Sequence, residues 1–235
     1  MKILIPMAGE GSRFAKEGYT FPKPLIEVNG KPMIQAVVEN LDFDADYIFL
    51  VRKEHLEKYA GLRETLNRIT NNRTTIVEVD SLTEGAACTV LLAKEYIDND
   101  EDLLIANSDQ LIEYSSQNFN YLKNLTDLDA IVMCFNAVHP KWSFVKVNSG
   151  GIATEVAEKN PISDIATCGI YWYRKGSDYV KYAEQMIEND IRVNNEFYVC
   201  PVYNELIKDG KSLIPFFVHA MHGLGTPEDL EKYLK

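Results

Sequence analysis

The residues best suited to chemistry lie near the start of the chain, where two glycines precede an arginine and a lysine. Gly9 and Gly11 follow a short apolar run, and glycines allow a sharp turn whose N–H groups come close to a ligand. Several converging N–H groups form a binding site for an anion. Arg13 follows this turn, and Lys23 stands between two prolines that restrict its backbone. Backbone donors, a forked guanidinium and a lysine charge together suit the phosphates of a nucleoside triphosphate.

This glycine-containing turn matches no complete nucleotide-binding fingerprint. The pattern G-x-G-x-x-G fails because Phe14 occupies the place of its third glycine, and the Walker A pattern is absent. A tight strand-to-loop turn with solvated charges therefore stays open as an alternative to a phosphate site. The position of Lys23 favours the phosphate site, since a merely solvated lysine gains nothing from two flanking prolines.

A carboxylate further along the chain, Asp109, closes the short segment that follows a predicted buried strand at 102–106. Open parallel sheets bind ligands beyond the carboxyl ends of their strands, so Asp109 and the turn at 9–13 are expected at one edge of the sheet. A carboxylate there could hold Mg²⁺ against phosphate oxygens. A helix cap or an ordinary loop residue is the alternative interpretation of Asp109.

The elements that must position these residues alternate between strands and helices. Apolar runs predict strands at 3–6, 46–51, 74–79, 102–106, 130–138, 144–147, 152–157, 166–173 and 213–218. Helical spacing and start signals predict helices at 32–41, 53–70 (as one or two), 84–96, 177–189, 202–208 and 227–234. This alternation predicts an α/β fold with helices on both faces of a mainly parallel sheet, and a more antiparallel second half.

Composition narrows the classes of partner and compartment. The chain has 235 residues and a net charge of −11, which argues against nucleic acid as a partner. No stretch approaches the ~18 apolar residues of a membrane span, and we expect neither a membrane partner nor a signal peptide. Four cysteines without a Cys-x-x-Cys pair are typical of a reducing cytoplasm. Residues 1–35 carry more basic than acidic side chains, which suits a small anion better than a polymer.

Three N-terminal segments taken together resemble the sugar-phosphate nucleotidyltransferase family: AGEGSRF at 8–14, PKPL at 22–25 and GKPMI at 30–34. The resemblance implies a three-layer αβα fold with a mixed, mostly parallel sheet, Rossmann-like and related to the GT-A glycosyltransferase fold. It also implies one domain over residues 1–235, with a nucleotide-binding part at about 1–125 and an acceptor-binding part at about 126–235.

The resemblance implies roles for individual residues. The NTP-binding residues would be Met7, Ala8, Gly9, Gly11, Ser12, Arg13, Lys23, Glu84, Gly85 and Ala86, with Arg13 and Lys23 catalytic. The acceptor-binding residues would be Lys159, Gly169, Tyr171, Asn195, Glu196 and His222, and Asp109 would bind Mg²⁺ or Mn²⁺. Plainer interpretations stay open: a helix cap formed by Thr83 or Ser81 beside Gly85, a surface turn at Lys159, loop and core at 194–198, and a structural His222.

The chain departs from the family pattern in its C-terminal part. Many members carry Trp-x-Asp-x-Gly-Thr there, whose Asp is the second metal ligand, whereas Gly223 stands at that position in this chain. Glu196, Asp229 or another acid would have to supply the second carboxylate, or the metal has one protein carboxylate. Asn160 also separates Lys159 from the proline that follows it directly in the family.

The activity implied by the resemblance is transfer of a nucleoside monophosphate from an NTP to a phosphorylated small molecule, with release of pyrophosphate. Small members act in capsule or surface-polysaccharide synthesis and some use CTP, so CTP is favoured here. The acceptor could be a sugar 1-phosphate, or a non-sugar phosphate such as phosphocholine or the phosphoglutamine used by a capsule cytidylyltransferase, and the protein could form a homodimer. Two rival functions remain: a GT-A-type glycosyltransferase using a nucleotide sugar, and a non-catalytic nucleotide-binding regulator.

Overall fold

A nine-stranded sheet forms the centre of the computed structural model, which describes residues 1–125 and 128–235. In chain order the strands are β1 (Lys2–Met7), β2 (Glu27–Val28), β3 (Lys31–Pro32), β4 (Asp46–Arg52), β5 (Thr74–Val79), β6 (Leu103–Ala106), β7 (Gln110–Glu113), β8 (Ala130–Asn136), β9 (Ser143–Val147), β10 (Ala153–Glu158), β11 (Ile165–Tyr173), β12 (Leu213–Phe217) and β13 (Ala220–Gly223). The helices are α1 (Ser12–Lys16), α2 (Met33–Leu41), α3 (Lys53–Lys58), α4 (Leu62–Ile69), α5 (Ala86–Leu91), α6 (Lys94–Ile97), α7 (Ser116–Leu125), α8 (Gly176–Glu188), α9 (Val202–Lys208) and α10 (Pro227–Leu234).

The sheet is mixed and mostly parallel, in the order β10-β9-β11-β6-β1-β4-β5, with β8 pairing to β11 and β12 pairing to β8. β1 lies between β4 and β6 and runs parallel to both, so that Leu4 is in register with Ile48 and with Ile105. β11 runs antiparallel to β6, β8 and β9, and β10 runs antiparallel to β9. The fold class predicted from the sequence is confirmed, including the more antiparallel second half.

Both faces of the sheet are covered by helices, which gives the three layers. Ile3, Ile5 and Met7 of β1 point into one apolar cluster with residues of α2, α4, α7 and α10. Leu4 points into the other cluster, with residues of α5, α6, α8 and α9. Successive side chains of a strand point to opposite faces of the sheet. Since both faces are buried at β1, its sequence is a nearly continuous apolar run.

The structure differs from the sequence prediction mainly in short elements. The helix predicted over 84–96 is two helices, α5 and α6, since the chain turns at 92–93. The helices α1 and α7 were not predicted. Neither was the small sheet of β7 and β13, whose strands are more than 100 residues apart and are paired only by the tertiary fold. The division predicted at about 125–126 falls at residues 126–127, outside the described residues.

Asp102, just before β6, joins the start of the chain to α7 and β11. Its carboxylate accepts hydrogen bonds from Lys123 and from Trp172 Nε1, the latter at 3.2 Å, and lies 3.4 Å from the N-terminal amine. Burial by itself would raise the pKa of Asp102, but the bonds from Lys123 and Trp172 and the nearby positive charges lower it below its usual value. Asp102 therefore stabilises the folded state in its ionised form.

We expect Asp102→Asn to lower the free energy of unfolding by about 1–3 kcal/mol at pH 7, because charged hydrogen bonds are lost. A carboxylate with a lowered pKa in the folded state stabilises the fold above its unfolded pKa, and this stabilisation is lost as the pH falls through the folded pKa. Urea unfolding should therefore show a difference in the free energy of unfolding between the wild type and Asp102→Asn at pH 7, and this difference should decline below about pH 4. Asp100→Asn is the control, since Asp100 pairs with Lys175 at 2.9 Å on the surface and is 81% exposed. An equal difference in the free energy of unfolding at pH 7 and below about pH 4 would contradict the stabilising role of ionised Asp102.

Candidate functional site

A cleft of about 580 Å³ opens at the carboxyl ends of the central parallel strands. Three segments line it: residues 6–14 at the end of β1 and beyond it, residues 79, 81–83, 85 and 86 at the end of β5 and beyond it, and residues 107–109 after β6. Lys23, Glu196 and Gly225 complete the lining from distant parts of the chain. The cleft lies where open parallel sheets bind ligands. It brings the predicted nucleotide-side residues together except Glu84, which does not line it and pairs with Arg192 at 2.6 Å.

The glycine-containing turn after β1 leads directly into the short helix α1. Gly11 has a left-handed backbone (φ 63°), which glycine adopts without strain, and it precedes the first residue of α1. A Cβ added to Gly11 would lie 3.5 Å from the Cβ of Lys23, so the turn packs against the lysine segment. Arg13 is exposed on the cleft, while Phe14 is buried against Tyr19 and anchors α1 to the core.

Lys23 and Asp109 form an ion pair in the cleft. The Lys23 ammonium donates a hydrogen bond to Asp109 Oδ2, and their side chains are 22% and 19% exposed. The pair joins residues 86 positions apart in the chain. Leu224 N–H donates to the Asp109 carbonyl at 2.8 Å, and a Cβ on Gly225 would lie 2.9 Å from Asp109 Oδ2. The segment at 224–225 therefore closes over the pair.

The turn before α5 approaches another backbone closely. Gly85 has φ 137°, and a Cβ at this position would lie 2.3 Å from the carbonyl oxygen of Phe197. Phe197 N–H donates to the Glu84 carbonyl at 2.8 Å, and Ala87 N–H donates to the Phe197 carbonyl at 3.0 Å. The family resemblance placed Gly85 among the NTP-binding residues, and the close approach seen here is that of the Phe197 backbone. The Thr83 hydroxyl donates a hydrogen bond to the Gly85 carbonyl at 2.9 Å, and within the described residues no side chain caps α5.

We expect Gly85→Ala to lower the free energy of unfolding by about 1–3 kcal/mol, because the added methyl group meets backbone atoms that cannot turn away. Thermal and urea unfolding would measure the loss. Gly61→Ala is a matched control, since no atom lies within 4 Å of a Cβ added to Gly61. Equal stability of Gly85→Ala and Gly61→Ala would contradict the close approach to Phe197.

On the predicted acceptor side, Lys159 and Glu196 meet at Tyr198. Lys159 Nζ lies 2.5 Å from the Tyr198 hydroxyl oxygen and 4.5 Å from the centre of its ring. Glu196, which lines the cleft, also hydrogen-bonds Tyr198. Burial raises the pKa of the neighbouring Glu158, against the lowering effects of the Ser143 hydroxyl and Lys159. Lys159 is not among the residues that line the cleft, and Tyr198 connects it to Glu196, which does line it.

Other residues predicted for the acceptor side lie elsewhere. Tyr171 is 5% exposed, packs against Tyr203 and has its hydroxyl 3.3 Å from Thr167, so a direct contact with an acceptor does not fit this placement. Burial raises the pKa of Tyr171 well above its usual value. Asn195 is exposed in a tight turn and is not among the residues that line the cleft.

His222 and Gly169 also lie outside the lining of the cleft. His222 Nε2 is 2.9 Å from Glu113 Oε1, and its ring lies 5.3 Å from that of Tyr233, beside smaller pockets. Gly169 has φ 73°, and a Cβ there would lie 2.2 Å from Asn107 Nδ2. The close approach that requires glycine at 169 is thus that of Asn107, which does line the cleft.

Sequence reasoning missed several contributors to the cleft and its walls. Asn107 and Ser108 line it, but the sequence analysis gave them no role. Their position directly after a buried strand was the available signal. Glu10 and Thr89 also line the cleft, and Arg192 supports one wall of it from outside. Arg192 carries no local motif, so the sequence held no signal for it.

A divalent cation fits the cleft if substrate oxygens complete its ligands. Within residues 1–125 and 128–235, no group of three or more His, Cys, Asp or Glu side chains could hold a metal ion. Asp109 offers one carboxylate, and Mg²⁺ commonly takes one or two carboxylates together with substrate phosphates and water. Of the acids considered for a second ligand, Glu196 lines this cleft, whereas Asp229 lines a smaller pocket and lies 3.4 Å from Lys141 Nζ. A Cβ on Gly223 would lie 3.7 Å from Asp229 Oδ2.

Among the helices of the described part of the chain, none has the length and apolar character that crossing a bilayer would require.

Comparison with known proteins gives one family match along nearly the whole chain. The model of the family described as nucleotidyl transferase matches residues 2–232. The bifunctional protein GlmU of Methanocaldococcus jannaschii is 26% identical over 213 residues, covering 90% of this chain and 48% of that protein. A mannose-1-phosphate guanyltransferase of Yarrowia lipolytica is 28% identical over 154 residues, covering 64% of this chain and 42% of that protein. The chain thus spans about half the length of the curated relatives it matches.

Solved structures give a match over the full length. The nucleoside-diphosphate-sugar pyrophosphorylase from Vibrio cholerae RC9 is 27% identical with a TM-score of 0.84, over 99% of both chains. The inositol-1-phosphate CTP transferase from T. maritima is 13% identical with a TM-score of 0.77, over 99% of this chain and 93% of that one, and shows a shared fold.

Proposed function

This chain belongs to the nucleotidyl transferase family, and from that premise we propose that it transfers a nucleoside monophosphate from an NTP to a phosphorylated small molecule, releasing pyrophosphate. The observation that carries the proposal is the Lys23–Asp109 pair in a cleft beside the turn at 9–13, beyond the carboxyl ends of β1 and β6. This arrangement joins a cation for phosphate oxygens to a carboxylate for a divalent cation. The motif resemblance to the sugar-phosphate nucleotidyltransferases agrees with the family match.

The proposed reaction is an in-line attack by an acceptor phosphate oxygen on the α-phosphorus of the NTP. A new P–O bond forms while the bond to the departing pyrophosphate breaks, and no covalent protein intermediate is needed. The backbone N–H groups of residues 9–12 would bind the triphosphate, Arg13 the departing pyrophosphate oxygens, and Lys23 the oxygens near the α-phosphate. Catalysis would consist of positioning and electrostatic stabilisation of the transition state.

Asp109 would hold Mg²⁺ or Mn²⁺ in the loaded site. A bound divalent cation there supplies neutralisation of charge between the two phosphates. Before loading, the ammonium of Lys23 occupies Asp109 Oδ2. We propose that substrate phosphates draw Lys23 away from Asp109, which frees the carboxylate for the cation.

On the acceptor side, Lys159 would bind the acceptor phosphate and Glu196 would accept a hydrogen bond from its hydroxyl or amino groups. We propose one domain, with the nucleotide bound by the N-terminal half and the acceptor by the C-terminal half. A sugar phosphate is the preferred acceptor class, because the name of one curated relative contains mannose 1-phosphate. The same proposal includes several finer hypotheses. These are the use of CTP, an acceptor such as phosphocholine or phosphoglutamine, a role in capsule synthesis, a cytoplasmic location and a homodimer.

A panel assay of pyrophosphate release tests the proposal. CTP, UTP, dTTP, GTP and ATP are each paired with hexose 1-phosphates, phosphocholine and phosphoglutamine in the presence of Mg²⁺. Pyrophosphate release that depends on both substrates supports the proposal and identifies base and acceptor. Tight NTP binding without release from any pair would favour the non-catalytic regulator, and sugar transfer from a nucleotide sugar would favour the glycosyltransferase.

A further inference from the structure

Arg192 lies outside the cleft and contacts two segments that border it. Its guanidinium lies 2.6 Å from Glu84 on the nucleotide-side turn, and its Nη1 donates to the Asn195 carbonyl at 3.3 Å. It also pairs with Asp190 and lies 4.0 Å from the centre of the Phe197 ring. The planar guanidinium of arginine can pair with a carboxylate and stack on an aromatic ring at the same time, whereas the ammonium of lysine cannot.

The segment that Arg192 holds is a minimal hairpin. Val193 and Glu196 exchange two backbone hydrogen bonds, each of 3.0 Å. The two residues between them, Asn194 and Asn195, have φ of 50° and 64°. Two central residues with positive φ are the mark of a type I′ turn, which asparagine tolerates. The turn leaves Glu196 at the end of the hairpin, on the cleft.

This hairpin is docked on the nucleotide-side turn through Phe197 and Gly85. The two backbone hydrogen bonds to Glu84 and Ala87 are the direct link, and Arg192 clamps it from the side by reaching Glu84. The position of Glu196 relative to the nucleotide side therefore depends on Arg192.

The nucleotide-side turn, in contrast, has supports of its own. Thr83 donates to the Gly85 carbonyl at 2.9 Å, and the hydroxyls of Thr83 and Thr89 are 2.6 Å apart. Thr89 N–H donates to the same carbonyl at 3.0 Å. Loss of Arg192 would thus loosen the hairpin that carries Glu196 and leave the turn in place.

We propose that Arg192 is a positioning residue that sets the acceptor-side carboxylate Glu196 against the nucleotide half of the cleft. The inference rests on the proposed function, because it assigns the hairpin to acceptor binding. It predicts an asymmetric effect: the loss of Arg192 raises the KM for the acceptor and leaves the KM for the NTP unchanged.

Steady-state kinetics of Arg192→Ala, with the substrate pair identified by the panel, test this inference. We expect the KM for the acceptor to rise about tenfold, which corresponds to 1.4 kcal/mol, and the KM for the NTP to stay within about twofold. Arg192→Lys should recover part of the loss, because an ammonium can still pair with Glu84 but cannot stack as a fork. Arg73→Ala is the matched control, since Arg73 pairs with Asp44 on the surface where β5 begins and should show wild-type kinetics.

Hydrogen exchange adds a readout that does not use activity. In Arg192→Ala the amides of Val193 and Glu196 should exchange faster, while that of Thr89 stays protected. Unchanged acceptor KM, equal rises in both KM values, or no recovery in Arg192→Lys would each overturn the inference while the proposed function stands. If the wild-type protein releases no pyrophosphate with any pair, the proposed function fails and the acceptor role of Arg192 fails with it.

Discussion

Lys23→Ala is expected to lower turnover by about two to three orders of magnitude, the size of effect seen when one preorganised donor is removed from other enzymes. In the protein without substrates, the Lys23 ammonium is already held in the cleft by Asp109. Pro22 and Pro24 restrict the backbone on both sides, and Gly11 packs against its Cβ. The charge is therefore close to its working position before phosphate arrives, so that little reorganisation remains at the moment of reaction. Initial rates of pyrophosphate release with saturating substrates measure the effect.

The fold of Lys23→Ala should survive, because the ion pair that it breaks is partly exposed to solvent. Lys94→Ala is the matched control: Lys94 forms a surface pair with Glu184 at 2.6 Å, and its loss should leave turnover unchanged. Circular dichroism and thermal unfolding of both variants separate a catalytic loss from a folding defect. A near-normal rate in well-folded Lys23→Ala would contradict the role given to this lysine.

Asp109→Ala is expected to produce a loss of the same size, about two to three orders of magnitude. Its carboxylate is the group of the cleft that pairs with Lys23, and it is the one offered to the divalent cation. The backbone at this position is held independently, because Leu224 N–H bonds the Asp109 carbonyl at 2.8 Å whatever the side chain. The variant should therefore keep its fold and lose turnover, with a weaker response to added Mg²⁺ than the wild type shows.

Titration of Mg²⁺ against pyrophosphate release, in parallel with binding of Mn²⁺ to the protein with NTP, measures this second effect. Asp100→Ala is the control, since Asp100 pairs with Lys175 at 2.9 Å on the surface. Wild-type turnover and wild-type Mn²⁺ binding in Asp109→Ala would refute the metal assignment. Because Lys23 and Asp109 touch each other, their effects should not add, and the double variant should be about as slow as the slower single variant.

The local pattern of apolar residues, glycines and prolines predicted several elements well, including those proposed to bind the triphosphate. β1 and the turn at 9–13 follow from an apolar run that breaks at glycines, and both occur in the structure where the sequence indicated. The predicted α9 and α10 also have the observed bounds. These features depend on short-range periodicity and on glycine and proline geometry, which a single sequence displays directly.

The neighbours of a residue could not be predicted from the sequence. Gly85 and Gly169 were related to ligands, yet the atoms that require glycine there belong to Phe197 and Asn107. Tyr171 was assigned to the acceptor but lies in the core. A glycine indicates that another group approaches the backbone closely, and a tyrosine indicates an aromatic contact. Neither residue type identifies the group that makes the contact.

The sequence by itself determined the α/β fold, the family and the group of residues that could bind a triphosphate. Only the tertiary structure decided that Lys23 meets Asp109 across 86 residues, that His222 pairs with Glu113, and that Arg192 links Glu84 to the turn at Asn195. Local patterns are set by contacts within one helix or strand. These pairings arise when the sheet order and the helix packing bring distant segments together, and side chains without any local motif then acquire their partners.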